Sequence, residues 1–238
     1  MTATLDIGDG RSTLRFDRVL PHGRERVWRA VTDSEELAKW FPTAVIYEPR
    51  VGAPMQFDFG GEHGLDVWPG EVLEFSPPSV FAFAWGEDVL RFELSEALEG
   101  THLVFSHSFA HQPGKEARDA AGWEACFEAF DALLQGDPGG VPPDAWSRHH
   151  EAHLADFGDL TLETSHGTSR VRLQGPYMEV EGRPAVNVKL DERPGVLVVR
   201  DADGALEDGA DVEVRAGSVD EPGEPVASGR LRDPLAEG

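Results

Sequence analysis

The amino-acid sequence predicts an α+β protein: a curved antiparallel sheet around one long C-terminal helix, followed by a small β-rich region. Three observations predict it. Several segments between residues 45 and 109 alternate apolar and polar side chains with period 2, the signature of strands covered on one face only. One stretch after Pro113 instead repeats its large apolar residues with helical spacing, Trp123, Phe127, Phe130 and Leu134 falling on a single stripe. Finally, of 21 aromatic residues, 20 lie at or before Phe157, and only Tyr177 lies beyond it. Core-building capacity is therefore concentrated in a domain spanning 1–158, with its core at 11–136 and an extra helix at about 142–157. Residues 159–238 form a separate β-rich appendage with a mobile end.

Taken in order, RSTLRFDRVL at 11–20 places Leu14, Phe16 and Arg18 on one side of a strand. Val27, Ala30 and Val31 then recur at helical spacing, with Trp28 beside them. A second short helix follows, with Ser34 as its N-cap, Glu35 and Glu36 near its positive end and Leu37, Trp40 and Phe41 as its apolar face. Pro42 stops it. Residues 45–109 read as a meander of about six strands, broken at GGEHG (60–64) and SPPS (76–79). Met55, Phe57 and Phe59 share one face, as do Phe81, Phe83 and Trp85, Leu90, Phe92 and Leu94, and Leu103, Phe105, His107 and Phe109. The opposing residues, such as Gln56, Asp58, Arg91 and Glu93, are polar, as expected when only one face is covered. The long helix runs to about Gln135, where Gly136, Pro138, Gly139 and Gly140 end it. The helix from Pro142 to Phe157 has Trp146 on its apolar side. Beyond Asp159, GVLVVR (195–200) and ADVEVR (210–215) form a hairpin, and SRVRLQ (169–174), YMEVEG (177–182) and AVNVKL (185–190) are three further strand candidates. Together they make a small sheet or sandwich. The final stretch is acidic and rich in Pro and Gly.

Charge and cysteine usage exclude several functions. The chain carries 44 Asp and Glu against 21 Lys and Arg, a formal charge of -23. Such a surface repels phosphate backbones and anionic headgroups, so neither a nucleic acid nor a membrane is an expected partner. No stretch of about 18 uninterrupted apolar residues is present, so no span is predicted. Cys126, the single cysteine, has no disulfide partner within the chain, and the first twenty residues lack a basic segment followed by an apolar run. The cytoplasm is the expected compartment. The G-x-S-x-G elbow, the phosphate-binding glycine loop and the dinucleotide fingerprint are missing, which removes the usual support for hydrolase, kinase and dehydrogenase readings.

The order of strand, two short helices, six-strand meander and long helix is accompanied by recognisable residues. They are Val27-Trp28 with Ala30, Thr32 and Asp33, then Leu37 and Trp40-Phe41, then Gly70 to Glu74 with Pro77-Pro78 and Phe81 to Trp85. Thr101 with Leu103, Phe105 and His107, and Gly122-Trp123, complete the set. With them, residues 11 to about 136 resemble the START-like (SRPBCC) superfamily, in the branch similar to the C-terminal domain of the activator of the 90-kDa heat-shock chaperone ATPase. The resemblance implies a helix-grip fold, and its relatives are ligand carriers, chaperone cofactors, stress-related proteins and aromatic cyclases. This chain departs from the pattern in having Gly52-Ala53-Pro54 where paired glycines are common, and its last 80 residues lie outside the resemblance. A shared fold does not by itself assign a reaction.

A curved aromatic sheet face under an aromatic helix is a place for an apolar cavity, and such cavities take small ligands. The expected ligand-binding wall is Phe57, Phe59, Phe83, Trp85, Phe92, Phe105, Trp123 and Phe127, with His107 as polar anchor. The competing view is that the same side chains fill the space as core. His107 is also the candidate catalytic residue, with Glu71 or Glu74 as the carboxylate beside it; its ordinary alternative is a core histidine bonded to the backbone. His149 and His153, at i and i+4, are candidate metal ligands without the zincin spacing, but no metal is expected and they read as a solvated helix face. Asp201, Asp203, Gly204 and Asp208 echo part of a calcium loop but read as a turn. No cofactor is expected, and Cys126 reads as a buried, inert thiol.

Three functions follow. The leading one is non-enzymatic binding of a small hydrophobic or aromatic ligand between sheet and long helix. The alternatives are a protein-interaction module with a filled core, touching a chaperone or another protein, and a cyclase- or hydratase-type enzyme using His107 and a carboxylate. A homodimer is a further possible partner arrangement, and an acidic surface favours basic partners.

Overall fold

The computed structural model describes residues 3–60, 67–201 and 204–236. Most of the GGEHG turn, from Gly61 to Gly64, and Asp203 of the calcium-like loop lie outside them. The chain is mainly antiparallel sheet with four helices among the described residues, an α+β architecture. It divides into two compact units, one of residues 1–111 with 122–149, the other of residues 112–121 with 150–238.

The first unit is built on an eight-stranded sheet. Strands β1 (Thr4–Gly8) and β2 (Arg11–Leu20) form a hairpin at one edge. Helices α1 (Arg24–Thr32) and α2 (Ser34–Leu37) then carry the chain to β3 (Ala44–Tyr47) at the opposite edge. From there β4 (Pro54–Asp58), β5 (Val67–Ser76), β6 (Val80–Trp85), β7 (Asp88–Ala97) and β8 (Gly100–Ala110) zigzag back. β8 finally pairs with β2, from Arg11 opposite Ala110 to Leu20 opposite Thr101. The alternation predicted for these strands fixes the register. Leu14, Phe16, Phe57, Phe81, Phe83, Leu90, Phe92, Leu103 and Phe105 are all at or below 1% exposure, and slipping any strand by one residue would turn that set to solvent.

Two details differ from the sequence reading. The N-cap of α2 is Asp33, not Ser34: its carboxylate accepts from the backbone N–H groups of both Glu35 and Glu36 at 3.0 Å. A carboxylate can serve two orphan donors and adds charge at the positive helix end, which a serine hydroxyl does not. Second, α2 ends at Leu37, so Trp40 and Phe41 belong to the following turns. Both are still buried, and the Trp40 indole N–H donates to the Ala30 carbonyl at 2.9 Å.

Helix α3 spans Lys115–Leu134. Its part in the first unit sets Phe127 against Phe16 (5.4 Å between centroids) and Phe105 (5.4 Å), and Phe130 against Trp40 (4.8 Å). Arg18, on the predicted inner side of β2, places its guanidinium 5.1 Å from the centre of the Phe127 ring while Nη2 bonds Asp131 at 2.6 and 2.7 Å. A charged end on an apolar face is thus covered by a carboxylate and a ring at once. Helix α4 spans Ala145–Phe157 and is shared between the units.

The second unit is a closed six-stranded barrel. β9 (Leu160–Thr164), β10 (Gly167–Val180), β11 (Arg183–Leu190), β12 (Arg193–Val199), β13 (Asp211–Gly217) and β14 (Pro222–Arg232) follow one another antiparallel, and β14 closes onto β9. The sheet or sandwich expected here is therefore a barrel. The separate candidates at 169–174 and 177–182 are one strand, β10, with an irregularity between Leu173 and Tyr177. Most of the acidic, Pro- and Gly-rich final stretch is β14. The barrel interior holds Leu162, Val171, Val188, Leu197, Val212 and Leu231 among other Leu and Val residues, with no aromatic among the described residues. A six-stranded barrel has a narrow interior, so it is filled by aliphatic side chains. The paucity of aromatics beyond Phe157 thus matches a small barrel rather than the lack of a core. β12 is buried on both faces, because Val196 and Val198 pack outside the barrel with Val180, Ala185 and Val219. Asn187 holds that cover in place by accepting from the Val219 N–H at 3.0 Å. No helix among the described residues is long and apolar enough to cross a membrane.

Candidate functional site

The nine residues expected to line a ligand site all fall in one connected cluster of the first unit. Its deep part is tightly interlocked: Phe105 lies 4.7 Å from Phe92 and 4.7 Å from Trp123, and Phe83 lies 5.8 Å from Phe57. Phe57, Phe83, Phe92, Phe105 and Phe127 are at or below 1% exposure. Rings that the sequence reading did not assign to the site, Phe41 and Trp40, join them; Phe41 is 5.5 Å from both Trp85 and Trp123. The sequence reading set both on the apolar face of the second helix, but the sequence does not say which rings that face meets.

At one end the cluster reaches the surface. Phe59 and Trp85 are half-buried and stacked at 6.0 Å, and Trp68, 37% exposed, meets Phe59 edge-on at 5.8 Å. Trp68 was not among the expected wall residues. Gly70 is why these rings fit: a Cβ there would stand 2.6 Å from Phe57 Cε2 and 2.2 Å from the Ala84 carbonyl oxygen. Glycine on β5 lets the Phe57 ring lie directly over the backbone.

His107 is 3% exposed and held at both nitrogens. The Trp123 indole N–H donates to Nδ1 at 3.0 Å, and Nε2 faces a carboxylate oxygen of Asp88 at 3.0 Å. An indole nitrogen has no lone pair to offer, so Nδ1 is the acceptor and the ring proton sits on Nε2, donated to Asp88. The tautomer is assigned by these partners. The carboxylate is neither Glu71 nor Glu74; Glu74 instead pairs with Arg91 at 2.6 Å. Counting back by two from Leu90 places Asp88 on the inner face of β7, and Leu90 pairs with His107 across β8, so alternation and register together indicate it.

The histidines of α4 do not form a solvated face. His150 and His153 are 5% and 1% exposed, and the His153 ring stacks on Phe157 at 5.3 Å. In the first unit His149 lies between two glutamates of α3, Nδ1 2.7 Å from Glu124 and Nε2 2.7 Å from Glu128. Arg148, above all, and His149 hold the Glu128 carboxyl below its ordinary range against a smaller opposing effect of burial. Both ring nitrogens of His149 are thus engaged by carboxylates. Burial alone raises the Cys126 thiol to about 12, so it is not a nucleophile at neutral pH. A surface depression of about 310 Å³, lined by Thr32, Asp33, Ser34, Glu35, Tyr47 and Pro49, contains none of the nine expected wall residues.

Residues 21–135 match the family model described as Activator of Hsp90 ATPase homolog 1-like protein. That region is a START-like domain. Solved structures agree on the fold of the START-like part. A conserved protein of unknown function from Enterococcus faecalis, EF2215, superposes with a TM-score of 0.55 at 19% identity, covering 65% of this chain and 89% of that one. The solution structure of CalU16 from Micromonospora echinospora gives a TM-score of 0.50 at 19% identity, covering 65% and 92%. No curated protein matches the sequence significantly.

Proposed function

We propose that the START-like domain is a non-enzymatic binding module of the helix-grip type, taking a small hydrophobic or aromatic ligand at the surface end of its aromatic cluster. The observation that carries this reading is the continuity of rings from the exposed Trp68 through Phe59 and Trp85 to Trp123 and Phe105. Exposed aromatic rings that continue into an aromatic interior supply apolar area and planar stacking partners to a ligand. Phe57 and Phe41 support the same end, whereas Phe92, Phe105 and Phe127 serve as its packed floor. His107 fixes Trp123 by accepting its N–H and so acts as a positioning residue.

A cyclase or hydratase role for His107 has less support. A general base needs a free lone pair, and the Nδ1 lone pair is taken by Trp123 while the Nε2 proton is taken by Asp88. A protein-interaction role has one specific observation in its favour, the close mutual packing of the deep rings, and agrees with the chaperone-activator description of the family model. The two are separated by titrating the full-length chain with the neutral fluorophore N-phenyl-1-naphthylamine, since the charge of -23 would repel anionic dyes. Saturable one-site binding, displaced by naphthalene, supports the ligand reading. Fluorescence that rises without saturation, or not at all, leaves the interaction module as the better account.

A further inference from the structure

The two indoles that meet near the surface end of the cluster are in opposite states. Trp85 and Trp123 lie 6.3 Å apart in a T-shaped arrangement. Trp123 donates its N–H to His107. The Trp85 Nε1 is just as inaccessible to solvent, yet it has no hydrogen-bond partner among the described residues. Indole nitrogen can only donate, so any partner it takes is an acceptor, and a buried donor left unpaired is costly. The rings around it, Phe41, Phe57 and Phe59, offer faces and edges but no lone pair.

Those same rings describe what would bring the acceptor. Phe57 and Phe59 are inclined by only 23° and 22° to Trp85, a near-parallel array suited to one more planar ring. Trp85 is half-buried, so part of its ring is exposed while Nε1 itself is enclosed. Glu87 and Asp88 follow it in the chain after Gly86, and the whole molecule carries -23, so an anionic acceptor such as a carboxylate is disfavoured. We infer that Trp85 is the specificity-determining donor of the site, and that the ligand class is a neutral, planar, fused-ring aromatic carrying a hydrogen-bond acceptor in its plane, a ring nitrogen or carbonyl oxygen. This rests on the reading of the aromatic end as a ligand site.

Naphthalene and quinoline test it, being the same shape without and with such a nitrogen. Isothermal titration of the full-length chain gives both affinities, in the unsubstituted protein and in Trp85→Phe. The quinoline-to-naphthalene affinity ratio falls about tenfold on substitution, the loss of one hydrogen bond, while the ring area lost with the indole weakens both compounds alike. In the unsubstituted protein, quinoline moves the Trp85 indole N–H resonance further downfield than naphthalene does. That measurement needs no variant and decides the matter if Trp85→Phe fails to fold. An unchanged ratio with equal resonance shifts overturns the donor role and leaves the ligand site standing. Absence of saturable binding by either compound overturns both.

Discussion

At the scale of single residues, the bond from Trp123 to His107 and from His107 to Asp88 is the arrangement with the most to lose. His107→Ala removes a buried ring and strands the Trp123 N–H. The cost combines a cavity with a buried donor left unpaired, about 3 kcal/mol or more. Asp88→Asn keeps an amide oxygen to accept from Nε2, and that bond loses its charge assistance, about 1 kcal/mol. Urea unfolding followed by far-UV circular dichroism measures both, and equal losses would contradict the assigned tautomer. His150 gives a different signal. Burial above all, helped by the charge of Arg172, lowers it from 6.5 to about 4, and it is 5% exposed. Its folded-state affinity for a proton is therefore weaker than in the unfolded chain. Between about 6.5 and 4 the unfolded chain takes up a proton that the folded one does not, so stability is full above 6.5 and falls as pH drops through that window. The loss is bounded by about 3 kcal/mol. Carboxylates held below their ordinary range, Asp17, Glu128, Glu181 and Asp191, act in the same direction at lower pH. Urea midpoints at pH 7 and pH 5 should thus differ less in His150→Gln than in the parent, and an identical pH dependence would show that another group is responsible.

At the scale of elements, closure of the barrel depends on β14 approaching β9 at Gly229. A Cβ at that position would stand 1.9 Å from the Glu163 carbonyl oxygen and 3.3 Å from Leu162 Cδ1. Gly229→Ala must push two paired backbones apart, and a loss of about 2–3 kcal/mol follows from overpacking and broken ladder bonds. Hydrogen exchange should rise at Leu162 and Leu231, which sit opposite each other, while amides of β7 and β8 in the other unit stay protected. Unchanged exchange on β9 would show that the two strands accommodate the methyl group. β14 also marks where sequence legibility ended. Strands β2, β6, β7 and β8 announce themselves because each presents several large apolar residues to one side. β14 buries only Leu231 fully and carries Pro222, Pro225, Gly223 and Gly229, so its composition reads as loop while distant partners make it a strand. β9 contributes only Leu160 and Leu162 and is too short to show a period. The site was legible to the same rule: alternation put His107 and the wall residues on one face. It gave no view of Asp88, whose identity as partner depends on which strand β8 lies beside, and it set Phe41 on an apolar helix face without showing that this face meets Trp85 and Trp123.

At the scale of the whole molecule, the chain does not change from one unit to the other at a single linker. Residues 112–121 group with the barrel and residues 122–149 with the sheet, so the boundary runs through α3. Gly114 explains the first association: with φ at +73°, its Cβ position lies 2.9 Å from Leu160 Cδ1 and 3.0 Å from Leu173 Cδ1, leaving no room for a side chain. The rest of α3 delivers Trp123, Phe127 and Phe130 to the aromatic core. A fragment ending at 158 therefore removes the barrel residues that hold the start of α3, although it keeps the whole length of the helix. Ala117, Ala120 and Ala121, at 2%, 0% and 0% exposure in the intact chain, lose partners of their own unit. The expected outcome is a 1–158 fragment that is less stable than the full chain and whose amides at 115–121 exchange rapidly. Rapid exchange confined to that first part, with Trp123 to Leu134 still protected, would show that the aromatic half of α3 is held by the sheet alone. A fragment unfolding at the same urea midpoint as the full chain, with 115–121 protected, would show instead that the barrel contributes nothing to the helix and that the START-like domain is complete without it.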